Sequence, residues 1–322
     1  MAEPIRTIVL GVAALTGDDP RGGAAHEDPA LASAANLARS LGAALHLVHA
    51  FEMPAPATAG IALPQPVDEV RDAYAAALSL QVAAQASQWA GLALRCHVVE
   101  KPAATAICDT ADGVGAGLVV VGATRRGRAW RGIVGSTADG VVRASAVPVL
   151  VLHEPLKLPI RRVLLTTDLS EASVGLLARA LETLGAIAAP AGRLELLLVV
   201  ASDPLLPPPF AEEALARGAG EAVRLIAARL GRPMETRVRV GDTPLEIVRE
   251  AGEWKADLLV LGTHGRSGFR PLWLGGTAAS TLRAASCNVL MIPGLTTKEP
   301  AAAGTPFATT GTAAAEHTLQ LH

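Results

Sequence analysis

The chain repeats itself at a spacing of 140 residues. Val119-Val120-Val121-Gly122-Ala123-Thr124 returns as Leu259-Val260-Leu261-Gly262-Thr263-His264, Gly135-Ser136-Thr137-Ala138 as Gly275-Gly276-Thr277-Ala278, and Val149-Leu150-Val151-Leu152 as Val289-Leu290-Met291-Ile292. One offset (122 to 262, 135 to 275, 149 to 289) therefore spans a strand pattern, a glycine loop, a helix pattern and a further strand pattern. A gapless spacing across so many elements means two copies of one domain. A site in either copy can be checked against the other.

The repeat predicts domains at 1–155 and 156–295, a count that suits a chain of 322 residues. Each copy alternates short apolar runs with Ala- and Leu-rich helical patterns. Thr7–Val12, Leu45–Ala50, Arg95–Val99, Leu118–Val121 and Val149–Leu152 read as strands in the first copy. Arg162–Thr166, Leu194–Val200, Glu235–Val240, Leu258–Leu261 and Val289–Ile292 take their places in the second. Helical patterns cover Pro29–Leu41, Val67–Trp89 and Ala103–Val114, then Ser170–Leu184, Glu212–Leu230, Thr243–Trp254 and Thr277–Ala285. Strands alternating with helices predict, in each copy, a five-stranded parallel sheet with helices on both faces, an α/β fold of Rossmann-like type. The almost purely apolar strands agree with burial on both sides. With aromatics at only 3% of the chain, the cores must be built from Ala, Val and Leu.

Several function classes are disfavoured. A net charge of −2 gives no global field towards nucleic acid or anionic membrane. No apolar run approaches the ~20 residues of a membrane helix, and Met1–Arg6 lacks a leader's long apolar stretch, so a cytoplasmic location is expected. Cys96, Cys108 and Cys287 lie far apart and read as buried thiols of a reducing compartment. His46 and His49 face opposite sides of a predicted strand, so they do not make a metal pair. No metal site is expected. Proline-rich stretches follow the second strand of each copy (Pro54, Pro56, Pro64, Pro66; Pro204, Pro207, Pro208, Pro209) and predict loops at the sheet's carboxyl edge. The Ala/Thr/Gly-rich segment 296–322 has no apolar period and predicts disorder.

The glycine loop carries the chemistry. In the second copy Gly262-Thr263-His264-Gly265 is followed, nine residues on, by Gly275-Gly276-Thr277. A strand precedes it and a helix follows. Amides at a helix start are unpaired donors, and the helix dipole favours negative charge there. Glycines let the main chain approach a phosphate with no Cβ in the way.

This pattern resembles the universal stress protein family, whose nucleotide-binding members carry Gly-x2-Gly-x9-Gly-(Ser/Thr). The resemblance covers nearly the whole chain except the tail. Val163-Leu164-Leu165-Thr166-Thr167-Asp168-Leu169-Ser170 is similar to the family's first strand and following turn, and Gly241-Asp242-Thr243-Pro244 to a later family turn. The resemblance implies ATP or another adenine nucleotide as ligand, with Mg2+ as an optional companion. It implies that Asp168 contacts the adenosine portion beside Thr166 and Thr167, and that the backbone of Val199 meets adenine. Gly262, Gly265, Gly275, Gly276 and Thr277 would surround the phosphates, with His264 and Arg266 as further candidates. A role in stress response or energy sensing follows by the same analogy. In the family, related fifth strands bring two domains together. Val149–Leu152 and Val289–Ile292 would then pair within one chain as a pseudo-dimer, and two chains could associate further as a homodimer.

The copies are not equivalent. In the first, Ala13 stands where Asp168 stands in the second, and Arg125 replaces the second loop glycine. Gly122, Gly135, Ser136 and Thr137 remain. A side chain at 125 obstructs phosphate and Ala13 offers no ribose acceptor, so this half reads as a degenerate site. The second half departs at Gly276, where a hydroxyl is expected. The run Arg125, Arg126, Arg128, Arg131 reads either as an anion clamp or as a solvated basic face. No positioned base or metal-binding acid of an efficient ATPase is recognisable. Binding is therefore expected over turnover. A nucleotide-free scaffold, and a slow ATPase or autophosphorylating protein, are the alternatives.

Overall fold

The computed structural model describes residues 4–12, 29–52, 91–123, 134–201, 210–263, 274–294 and 319–320, with isolated positions between 69 and 89. In chain order the first half runs β1 (Thr7–Val12), α1 (Pro29–Leu41), β2 (Ala44–Phe51), β3 (Leu94–Glu100), α2 (Ala103–Gly113), β4 (Leu118–Gly122), α3 (Ser136–Ala144) and β5 (Val149–Leu152). The second half runs β6 (Ile160–Thr167), α4 (Glu171–Ile187), β7 (Ala188–Val200), α5 (Phe210–Arg229), β8 (Glu235–Val240), α6 (Thr243–Glu253), β9 (Leu258–Gly262), α7 (Gly276–Ala284) and β10 (Asn288–Ile292). The expected helix 67–89, both proline-rich stretches and residues 295–318 lie largely or wholly outside the described residues. Near the terminus, a two-residue strand β11 (Leu319–Gln320) pairs antiparallel with β3 at Cys96 and Arg95.

All strands join one sheet in the order β11-β3-β2-β1-β4-β5-β10-β9-β6-β7-β8. Within each half neighbouring strands are parallel: Ile8 pairs with Leu45 and Leu118, and Val163 with Leu194 and Leu258. The two halves meet where β5 and β10 pair antiparallel, Leu150 opposite Leu290. The fifth strands of the two copies are thus the seam between them, the pairing that the resemblance implies. Because they run oppositely, the carboxyl edges of the two half-sheets, where open α/β sheets take their ligands, face opposite ways.

Apolar strands explain the layering. Leu10, Leu47, Leu150, Leu165, Leu196 and Leu290 are buried against α1 and α4. Val9, Val48, Val149, Leu164, Leu197 and Val289 are buried on the other face against residues of α2, α3, α6 and α7. Period-two alternation sends each neighbouring pair to opposite faces, so a central strand must be apolar throughout. One stretch departs from expectation. β6 and β7 begin earlier than the apolar pattern predicts, at Ile160 and Ala188, with an irregularity between Ile160 and Arg162. The added residues Ala188-Ala189-Pro190-Ala191-Gly192 belong to β7, and at Gly192 the chain passes so close to the carbonyls of Ala189 and Arg161 that an added Cβ would lie 3.0 and 3.2 Å from them. Cys108 is also only half-buried, whereas Cys96 and Cys287 are buried as expected.

The seam has a polar lock. Asn288, 1% exposed, opens β10. Its Oδ1 accepts from the amides of His153 (2.9 Å) and Glu154 (3.1 Å) in the connection leaving β5. Truncation would leave these amides unpaired. Asn288→Ala is expected to cost about 1–3 kcal/mol, seen as a lower urea midpoint. An unchanged midpoint would show that the lock contributes nothing.

Candidate functional site

The carboxyl edge of the second half gathers the ends of β9, β6, β7 and β8 side by side. At the end of β6, Asp168 is partly buried and its Oδ1 accepts from the amide (3.0 Å) and the hydroxyl (2.6 Å) of Ser170. Ser170 is the N-cap of α4, its Oγ accepting from Ser173 N at 3.1 Å. The Ser173 hydroxyl donates to Ser170 O (2.9 Å) and lies 2.9 Å from Thr167 Oγ1, which accepts from Leu169 N (3.1 Å). Thr166 Oγ1 donates to Val260 O across the sheet at 3.1 Å. The threonine hydroxyls therefore tie the strand end to its surroundings. Asp168 holds the capping serine in place, and Ser170 is the cap. Between them Leu169 sits at φ +66°, a conformation that non-glycine residues adopt at a cost of about 1–3 kcal/mol. The hydrogen bonds on either side sustain it.

The glycine loop starts and ends at one point. Gly275 N donates to Thr263 O at 3.0 Å, so the segment leaving β9 returns to its own origin as α7 begins. Thr263 is buried, its amide donates to Ile292 O (3.0 Å), and its Oγ1 accepts from Gly294 N (3.0 Å). Gly275 is the N-cap of α7 and has no side chain to cap it, unlike Ser170 before α4 and Asp242 before α6. Gly276 and Thr277 are exposed. The α7 start thus presents main-chain donors and a positive dipole end with no carboxylate in its first turn.

Beside it lies a cleft of about 500 Å³ lined by Ala201 after β7, by Gly241, Asp242, Thr243 and Pro244, and by Gly276, Thr277 and Ser280. Asp242 Oδ1 caps α6 by accepting from Leu245 N at 3.1 Å. Gly241 holds φ +152°, and an added Cβ would lie 2.9 Å from Glu246 Cγ, so both backbone and space demand glycine. Gly276 is different: nothing lies within 4 Å of an added Cβ.

Of the residues expected from sequence, Gly276 and Thr277 line the cleft, while Thr166, Thr167, Asp168, Val199, Gly262 and Gly275 lie along the same carboxyl edge outside its wall. His264, Gly265 and Arg266 lie outside the described residues, as do Ala13 and the Arg125–Arg131 run. Ala201, Thr243, Pro244 and Ser280 were not expected as site residues. A signal for two of them existed: at the same 140-residue offset the first copy has Ala104 and Gly140, whose Cβ positions would approach to 2.7 Å. There α2 and α3 pack tightly, where the second copy carries the larger Pro244 and Ser280. The first loop closes in the same way, Gly135 N donating to Ala123 O at 2.6 Å, and Gly135 caps α3 with no side-chain bond. Ser136 and Thr137 open that helix and Gly122 ends β4. Among the described residues no group of three His, Cys, Asp or Glu is placed to hold a metal ion. No helix there is long and apolar enough to cross a membrane.

The Universal stress protein family is matched twice, at residues 15–153 and 159–293. The chain belongs to that family. It is 40% identical over 55 residues to universal stress protein A homolog 2 of Coxiella burnetii, and 37% identical over 105 residues to a universal stress protein of Thermus aquaticus. These matches cover 17% and 30% of this chain, and 37% and 76% of the relatives. Among solved structures, a universal stress protein of Pseudomonas aeruginosa matches with a TM-score of 0.62 at 20% identity, over 90% of this chain and 94% of the other. One from Archaeoglobus fulgidus matches with a TM-score of 0.56 at 18% identity, over 89% and 96%. At such identities the likeness is one of fold.

Removing the serine that organises the Asp168 turn tests this geometry. Ser170→Ala is expected to destabilise the protein by about 0.5–2 kcal/mol through loss of the cap, read as a lower denaturation midpoint. A midpoint equal to wild type would contradict the network described.

Proposed function

We propose that this tandem universal stress protein comprises two units, 1–155 and 156–295, and that the second binds ATP or a related adenine nucleotide. The observation that carries this reading is the uncapped start of α7 beside an open cleft, behind a loop that returns to its own strand end. The phosphates lie against the amides of Gly276 and Thr277 and the glycines of the loop. The adenosine end lies towards Asp168 and the end of β7. Asp168 stands at the end of β6 with Ser170 bonded to its Oδ1, and a carboxylate at such a strand end can accept from ribose hydroxyls. Mg2+, where present, is carried by the nucleotide's phosphates. The first unit lacks the carboxylate at Ala13 and carries Arg125 in its loop. It serves as the structural partner that completes the sheet. Binding, with no dedicated catalytic base, suits a sensor in the stress response whose shape or assembly reports nucleotide.

Gly276 makes the reading testable. The missing hydroxyl weakens phosphate binding, and the space beside Gly276 accommodates one. Restoring it with Gly276→Ser is expected to tighten ATP about tenfold, the equivalent of one hydrogen bond to a charged group, while Asp168→Ala weakens it. Titration calorimetry checks both. No heat at millimolar ATP in wild type or Gly276→Ser, with Asp168→Ala indistinguishable, would remove the nucleotide reading.

A further inference from the structure

The second half buries a carboxyl pair beneath α6. Glu195 on β7 is 1% exposed and Glu250 on α6 is 3% exposed. Glu195 lies on the strand next to the β8 border, opposite Leu164 on one side and Glu235 on the other, and its Oε1 is buried with no hydrogen-bond partner. Arg239 on β8 clamps α6: its guanidinium bonds Glu250, Glu253 and, at 3.2 Å, Glu246. Arg237 reaches Glu250 at 3.9 Å. The other charged groups around the pair are Arg162 on β6, which donates to Trp254 O (3.2 Å), Arg193 on β7, paired with Glu235 and 5.7 Å over the Trp254 ring, and Arg249 on α6, paired with Glu253 and Glu246. Burial, then the neighbouring Glu250, pushes the Glu195 carboxyl up to about 7.

The same helix bounds the candidate nucleotide cleft. Thr243 and Pro244 open α6 and line the cleft, and Glu250 sits about 10 Å further along at 1.5 Å per residue. Glu246, one partner of Arg239, packs against Gly241 on the cleft wall. We propose that the buried Glu195 carboxyl, packed under α6 with Glu250, is a pH-responsive seat for that helix, which holds the cleft in its binding shape while Glu195 is protonated and loosens it when Glu195 ionises.

The folded state holds the Glu195 proton more tightly than the unfolded chain does. An acid raised in the folded protein above its unfolded value binds more protons when folded. Its contribution is complete below the unfolded value near 4.5 and is lost as pH rises through about 7. Stability and cleft affinity therefore both fall between pH 5 and 8. The first half supplies a contrast at the same sheet position. His46 there lies beside His97 (Nδ1 to Nε2, 2.9 Å), and burial, then His97, lowers it to about 4. Burial lowers His153 to about 4 as well. Neither titrates between pH 6 and 8.

This inference rests on the nucleotide reading, and two measurements separate them. Thermal midpoints and calorimetric ATP affinities are taken at pH 6 and pH 8 for wild type, Glu195→Gln and Glu195→Leu. The ratio to wild type at each pH cancels the nucleotide's own ionisation. Wild type is expected to lose affinity by about fivefold at pH 8 relative to the variants, the lower end of coupling between sites, and its midpoint to fall with pH more steeply than theirs. Equal midpoint slopes would overturn the seat, whatever ATP does. A steeper wild-type slope with ATP binding unaffected by Glu195 would overturn its coupling to the cleft. A steeper slope with no ATP bound at either pH would overturn both that coupling and the nucleotide reading, leaving the pair as a stability element. Two variants guard against one failing to fold.

Discussion

Antiparallel pairing of β5 with β10 is the contact on which the rest of this protein depends. Two half-sheets that would each end in an unpaired apolar strand become one continuous sheet, with Leu150 opposite Leu290 and Val151 opposite Val289. An open edge of such composition invites association with other chains. Pairing the copies within one chain removes that liability and leaves the charged strand β8, Glu235–Val240, as one outer border. The antiparallel sense has a functional consequence. It turns the ligand edges of the two copies away from each other, so each loop must work with its own half's residues. Asn288 joins this seam to the connection between the halves, which ties the geometry of one unit to the other.

Within the second half, the contrast between helix starts decides what the edge can do. Ser170 and Asp242 cap α4 and α6 with their own side chains, and each satisfies an amide that would otherwise need a partner. Gly275 does not, and its carbonyl and amide are spent on closing the loop and starting the helix. A negatively charged ligand is the chemistry that completes such an end. The first half shows the same loop closure yet packs Ala104 against Gly140 where the second half has Pro244 and Ser280. Sequence divergence between the copies thus reaches beyond the loop into the spacing of the helices behind it.

Much of this was legible before any coordinates. The strands β1, β5 and β8 and helix α1 match their sequence boundaries; in β1 and β5 an apolar run leaves little choice. The 140-residue offset pairs the sites of the two copies, and the family resemblance singles out Asp168 and the α7 start. What escaped the sequence depends on long-range packing. The hydroxyls of Thr166 and Thr167 meet Val260 O and Ser173 Oγ, partners that lie on other elements and that adjacency in the sequence does not name. Glu195 is the one charge within the predicted strand Leu194–Val200, and its burial under α6 together with Glu250 depends on packing that the strand pattern does not contain. The early start of β7 runs through Pro190 and Gly192, residue types that normally punctuate turns.

The two units are proposed to be asymmetric, one receiving nucleotide and its twin supporting it. The stoichiometry of ATP binding to the intact chain, taken from a calorimetric titration at a protein concentration well above the dissociation constant, addresses this most directly. One nucleotide per chain, reduced to none by disrupting the 262–277 loop and unchanged by disrupting the 122–137 loop, is the predicted result. Two equivalent nucleotides per chain, or one that depends on the first loop, would contradict it.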